Sequence, residues 1–174
     1  MLTYAALEFG ECLAISATDI SADKQFLRIK NTTTLDKSGK VKLGEDTKTP
    51  SGDRTIVINE FLKPVIESAL AKMKPNKDNL LFAKDDGKPY TDSALNSSLK
   101  RICQKAGIKC RVHNHKLRKN FNTRGVEAGV DYKVLEQNAG HADIHVLLDT
   151  YVDTQKEFKE KEMNKYVNYI KQIV

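Results

Sequence analysis

The sequence predicts an α+β chain, mainly α-helical, with a small antiparallel sheet of about three strands near its N-terminus. Two observations carry this. In residues 26–30, Leu27 and Ile29 alternate with Arg28 and Lys30, the period of two that a half-buried strand requires, and residues 54–59 (RTIVIN) have the same β-forming character. From residue 60 onward, apolar residues instead recur three and four apart between short turns, which is helical spacing. A length of 174 residues with 40% hydrophobic content suits one domain with a sizeable core.

Taken in order, residues 1–15 carry recurring apolar positions and are expected to be helical. Thr18-Asp19-Ile20 then turns the chain into the first strand. Residues 31–47 are polar, contain Gly39 and Gly44, and read as a long hairpin or loop with a second strand around 40–43. Pro50-Ser51-Gly52-Asp53 forms a turn, and residues 54–59 make the third strand. Asn59 caps a helix over 60–73, in which Pro64 falls early enough to be tolerated. Leu62, Val65, Ile66, Ala69, Leu70 and Met73 form its apolar face, and Lys74-Pro75-Asn76 ends it.

Leu80-Leu81-Phe82 is a short buried segment and residues 85–89 are a turn. Thr91 or Asp92 caps a helix to about Ala106, with Leu95, Leu99, Ile102 and Cys103 inward and Gly107 just past its end. A further helix spans 115–128 and stops at Gly129. Asp131 caps a short helix carrying Val134 and Leu135, and Gly140-His141 turns into a helix over 143–152. Residues 155–174 read as a charged helix with Phe158, Met163, Tyr166, Val167, Ile170 and Ile173 at helical spacing. It packs either on its own domain or on a neighbouring molecule.

The formal net charge of +6 favours a polyanionic partner. The three cysteines, Cys12, Cys103 and Cys110, form no CxxC pair and read as reduced thiols of a cytoplasmic protein. No apolar run approaches the roughly 20 residues that span a membrane. The N-terminus lacks a basic region, and Glu8 and Glu11 break its apolar run, so no signal peptide is expected.

The chemistry concentrates in residues 115–151. His115 and Arg118 stand at i, i+3, on one helix face. An arginine offers a planar fork of donors that suits a phosphate. His115 and His141 can donate hydrogen bonds or move protons near neutral pH. Tyr151 lies ten residues past His141, and a tyrosine hydroxyl is a nucleophile when a base and a charge clamp surround it. Together they suggest phosphoryl transfer through a covalent intermediate. His113 with His115, and His141 with His145, stand at i, i+2 and i, i+4. No Cys or carboxylate joins them at zinc spacing, so no metal site is expected.

These residues resemble the tyrosine recombinase (phage-type integrase) catalytic domain. That family carries an HxxR helix, a Leu-Gly-His-like turn and a Thr-Tyr nucleophile. Here the matching residues are His115-Lys116-Leu117-Arg118, Ala139-Gly140-His141 and Thr150-Tyr151. The family's earlier element reads Gly-Leu-Arg-x-Gly-Glu, and Ala6-Leu7-Glu8-Phe9-Gly10-Glu11 falls in its register. Lys48-Thr49 matches its hairpin lysine.

The resemblance implies the family's catalytic-domain fold and metal- and cofactor-free DNA cleavage and rejoining. Tyr151 attacks a phosphodiester and becomes linked to the 3′-phosphate. Lys48 protonates the departing 5′-hydroxyl, and Arg118 clamps the non-bridging oxygens. His115 assists proton transfer, and His141 donates a hydrogen bond to the phosphate. The implied partner is double-stranded DNA at a specific attachment site, with self-association on it into a tetramer and no membrane.

Lys116, Lys119 and Arg124 flank the HxxR helix and either touch DNA phosphates or form a solvated face. The one departure among the catalytic positions is Glu8, which stands where the family has its first catalytic arginine and is expected to impair cleavage. Residues 1–154 are expected to be a catalytic domain without the family's N-terminal DNA-gripping domain, and 155–174 a tail helix that can exchange between protomers. The rival reading is a catalytically inactive DNA-binding or assembly relative in which Glu8 forms a salt bridge to Arg118. A topoisomerase of the same nucleophile chemistry fits the local pattern less well.

Overall fold

A computed structural model describes residues 5–44, 52–110, 112–140 and 156–173. Lys48, His141, Tyr151 and the helix expected over 143–152 lie outside the described residues. The chain divides into two compact units, Met1–Ala142 and Asp143–Val174. The first holds helices α1 (Phe9–Leu13), α2 (Lys63–Lys72), α3 (Asp92–Lys105), α4 (Asn114–Glu127) and α5 (Tyr132–Ala139). Its strands are β1 (Phe26–Ile29), β2 (Thr33–Leu35), β3 (Val41–Leu43) and β4 (Arg54–Val57). The second holds helix α6 (Lys156–Ile173).

Where one sheet of about three strands was expected, the described strands pair as two separate antiparallel ladders, β1 with β4 and β2 with β3. The polar stretch closes a hairpin on itself. Asp36 Oδ1 accepts from Ser38 N at 2.8 Å and from Lys40 N at 2.9 Å, and this fixes the β2–β3 turn. The β1 edge is left to residues 54–57, with Leu27 opposite Ile56 and Ile29 opposite Arg54. Leu27, Ile29, Ile56 and Ile58 point into a core shared with Leu7, Ile15, Leu62, Ile66 and Leu81.

The helix expected over residues 1–15 is interrupted among the described residues. Ala6 adopts φ +52°, outside the right-handed helical region, and Glu8 is extended at φ −77°, ψ 160°. Helix, present at Ala5, is therefore broken over residues 6–8 and resumes at Phe9. Leu7, within the break, is fully buried. Helix α2 starts later than residue 60. Asn59 Oδ1 accepts from Phe61 N and Leu62 N and so closes a turn ahead of the helix.

Thr91 caps α3, its hydroxyl accepting from Ala94 N at 3.1 Å. Ile102, expected inward, is 62% exposed. The inward stripe runs through half-buried Leu95 and Leu99 to buried Cys103. Steps of four drift about 40° around a helix, which leaves Ile102 on the rim. Asp131 caps α5 through Lys133 N at 2.7 Å. Among the described residues, no helix is long and apolar enough to cross a membrane.

Leu27→Ala should cost about 2–5 kcal/mol in urea unfolding, the range for a buried large-to-small change, whereas Ile102→Ala should stay within about 0.5 kcal/mol. Burial also pushes the Cys12 thiol up to about 11, while Cys110 is exposed. A thiol reagent at pH 8 should therefore label Cys110 in the folded chain and reach Cys12 only after denaturation.

Candidate active site

Arg118 is the centre of the site. Helix α4 starts after His113, and Asn114 in its first turn reaches back to the segment before α1. With its amide oriented to match donors to acceptors, the Asn114 side-chain nitrogen donates to Leu7 O at 3.2 Å and its oxygen accepts from Phe9 N at 3.3 Å. Both partners flank Glu8, so the start of α4 is tied to the backbone on either side of that residue. Arg118 follows one turn later on the same face. It is only 6% exposed.

The Arg118 guanidinium spans two segments. Nη1 donates to Ala6 O at 3.0 Å, and Nη2 donates to Ala139 O in the last turn of α5. Nη1 also lies 3.7 Å from Glu8 Oε1. The pairing of the rival reading is thus present, with the Glu8 carboxylate 52% exposed and Arg118 inside. Burial pushes the Arg118 guanidinium below its ordinary value, Glu11 and Glu8 counter this, and Arg54 adds to the lowering. An arginine remains cationic at neutral pH through such shifts.

A second buried arginine lies alongside. Arg54 of β4 donates Nη1 to Glu11 Oε1 at 2.6 Å and Nη2 to Glu11 Oε2 at 2.9 Å, a bidentate pair inside the protein. Its Nε donates to Asn138 O at 2.9 Å and its Nη1 also reaches Gly52 O at 3.2 Å. Glu11 Oε2 accepts in addition from Glu8 N at 2.8 Å. Consecutive carbonyls at the end of α5, Asn138 and Ala139, are therefore each met by an arginine. This satisfies acceptors that a helix C-terminus leaves open and places positive charge at the negative end of its dipole.

Gly140 ends α5 in the left-handed conformation at φ +63°. A Cβ there would stand 2.7 Å from Arg54 Nη1. Glycine is needed twice, for the backbone angle and for the approach of the guanidinium.

Of the other residues singled out in the sequence, His115 is exposed and faces His113 edge-on, with ring centroids 6.3 Å apart. Lys116 and Lys119 are exposed on α4. Arg124 is exposed and pairs with Glu127 at 2.6 Å. The structure thus brings Glu8 to Arg118, whereas Lys48, His141 and Tyr151 lie outside the described residues.

Three residues escaped the sequence reading of the site: Asn114, Glu11 as an ion-pair partner, and Arg54. A signal for Arg54 existed. It stands in phase with Ile56 and Ile58, so an arginine at the inward side of a strand needs a buried acid. Nothing in the local sequence marks Glu11 as that acid.

Against this geometry the comparisons with known proteins are direct. The chain belongs to the phage integrase family, whose model matches residues 1–157. It is 28% identical over 167 residues to tyrosine recombinase XerD of Staphylococcus saprophyticus, covering 95% of this chain and 52% of that protein. It is 28% identical over 145 residues to a tyrosine recombinase of Thermosipho africanus, covering 83% and 44%. The chain thus spans about half the length of the curated relatives it matches.

Among solved structures, the Tn1549 transposon integrase in complex with circular intermediate DNA superposes with a TM-score of 0.79 at 22% identity, over 95% of this chain and 57% of that one. XerA recombinase gives 0.71 at 19% identity, over 95% and 54%. These structures share the fold: a mainly helical chain with small antiparallel sheets, as the sequence predicts.

Gly140→Ala and Gly39→Ala both place a side chain at a positive φ, +63° and +78°, but Gly39 has nothing within 4 Å of its added Cβ. Thermal or urea unfolding should show Gly39→Ala costing about 1 kcal/mol and Gly140→Ala about 2–4 kcal/mol, the excess coming from the displaced Arg54.

Proposed function

We propose that this chain is the catalytic part of a tyrosine recombinase that integrates or excises a phage or other mobile element. It cuts and rejoins double-stranded DNA at an attachment site through a 3′-phosphotyrosine. The observation that carries the reading is the order His115, Arg118, Gly140-His141, Tyr151 within a chain of the phage integrase family, with Arg118 held at the meeting point of three segments.

Tyr151 attacks the scissile phosphorus in line and gives up its proton with the help of His115. The P–O bond to the 5′-carbon side breaks, and Lys48 protonates the departing 5′-hydroxyl. Arg118 and His141 stabilise the charge on the non-bridging oxygens. A 5′-hydroxyl from a second duplex then attacks the phosphotyrosine, restores the phosphodiester and returns the proton to Tyr151. The phosphotyrosine retains the bond energy, so no nucleotide cofactor is consumed.

The reaction takes place in the cytoplasm on a tetramer assembled along the DNA. Lys116, Lys119 and Arg124 supply phosphate contacts. The tail helix α6, whose Met163, Tyr166, Val167 and Ile173 are exposed, docks on a neighbouring protomer.

Glu8 weakens this chemistry. Its carboxylate lies 3.7 Å from Arg118 Nη1, on the exposed side from which a phosphate would approach. Two negative charges about 4 Å apart repel by about 4 kcal/mol at an effective dielectric of about 20. The arginine donors that the family places here are absent as well, and a clamp of that kind is worth roughly 10³–10⁵ in rate. The Glu8–Arg118 pair therefore favours a second reading, a relative that binds DNA and cleaves poorly or not at all.

The test is covalent adduct formation on a nicked suicide duplex taken from the sequence flanking the gene. The chain as given should yield little adduct, Glu8→Arg should raise it by at least about 10³, and Tyr151→Phe in that background should abolish it while leaving binding intact. An adduct that survives Tyr151→Phe would overturn the nucleophile assignment. Salt-sensitive binding with no adduct from Glu8→Arg would select the non-cleaving reading.

A further inference from the structure

We propose that Arg54 is a positioning residue for Arg118. It sets the two carbonyls on which the Arg118 guanidinium rests, and through them the direction in which that guanidinium faces a phosphate. The role rests on the recombinase reading of Arg118 given above.

The argument starts from the weakness of the segments that hold Arg118. Ala6 O belongs to an irregular stretch that leads into α1, a helix of five residues. Ala139 O belongs to the last turn of α5, a helix of eight residues. Helices this short have no stability of their own in water. The positions of both carbonyls are therefore set by tertiary contacts.

Arg54 touches both segments at once. Through Glu11 it holds the stretch that contains Glu8, because Glu11 also accepts from Glu8 N. Through Nε it holds Asn138 O, the carbonyl next to the one that receives Arg118. Gly140, with no Cβ, lets Arg54 close against the end of α5.

Arg54 can do this because its own backbone is fixed. It lies opposite Ile29 in the β1–β4 ladder, two residues from buried Ile56. The site is thus referred to the core sheet by one side chain. A planar fork with donors on both sides is what the task needs. A lysine would keep the charge but could not hold Glu11 and Asn138 O in fixed relative directions.

A buried ion pair can act merely as a structural filler, and the experiment separates the two roles. Arg54→Met/Glu11→Met replaces both charges by apolar chains of similar length, a change that buried pairs often tolerate. Arg54→Lys is the milder companion, decisive if the double variant does not fold. The first readout needs no DNA: ¹⁵N guanidinium resonances of Arg118 in the full chain.

In the parent, Arg118 Nη groups bonded to Ala6 O and Ala139 O should rotate slowly and give separate signals. In a folded Arg54→Met/Glu11→Met variant, or in Arg54→Lys, they should coalesce. Unchanged Arg118 signals would overturn the proposal whatever the enzyme does.

The second readout repeats the variants in the Glu8→Arg background on the nicked duplex. Adduct rate should fall by about 10²-fold, the scale of a small misplacement at a reacting centre, with duplex affinity changed less than about threefold. An undiminished adduct rate would also overturn it. If the Glu8→Arg parent itself forms no adduct, the recombinase reading fails, while the Arg118 resonances still decide whether Arg54 positions it.

Discussion

The bidentate pair between Arg54 and Glu11 is the interaction on which the site depends. Both groups are almost wholly withdrawn from water. Moving two charges indoors carries a desolvation cost of several kcal/mol per ion. The cost is offset only because every strong contact is made. Glu11 accepts from both arms of the fork and from Glu8 N, and Arg54 also reaches the carbonyls of Gly52 and Asn138. Such a pair adds little net stability over an apolar filling. It adds direction, because hydrogen bonds to a planar fork fix angles as well as distances. The strand that carries Arg54 is anchored in the core, so that direction is passed on to α1 and α5.

Arg118 repeats the arrangement from the opposite side. It comes from a third element, α4, and ends on the carbonyls of Ala6 and Ala139. The end of α5 therefore receives two guanidinium groups on adjacent peptide oxygens. Their mutual repulsion is one reason the Arg118 guanidinium is pushed down, and the carboxylates of Glu11 and Glu8 act against it. Glu8 is the exposed member of this group of four charges. A carboxylate there balances the local charge and leaves the core undisturbed. A guanidinium in the same place would leave three arginines facing one buried acid, an arrangement that calls for an anion such as a phosphate.

Much of this was legible in the sequence and some was not, and the line falls along the range of the forces. The helix caps at Thr91 and Asp131 were legible, because each is a bond between a side chain and a backbone group two or three residues away. So was the helix that carries His115 and Arg118, because its apolar spacing and its stop at Gly129 are local rules. Ile102 was misplaced because helical spacing admits several faces, and only the neighbouring elements choose among them. The break in the N-terminal helix was missed for the same reason. Its apolar residues are buried by what surrounds them, and Ala6 departs from helical geometry to present its carbonyl to Arg118.

By itself the sequence determined the class of fold and the order of the elements. These follow from periodicity, capping and residue chemistry, all of which act over a few positions of chain. Only the tertiary structure decided that Glu8 meets Arg118, that Arg54 meets Glu11, and that both arginines end on one short helix. Those partners stand 21 to 110 residues apart along the chain. A contact of that kind is specified by the packing of the whole core, because no local rule relates a strand arginine to a helix-start glutamate until the sheet and helices have closed around them.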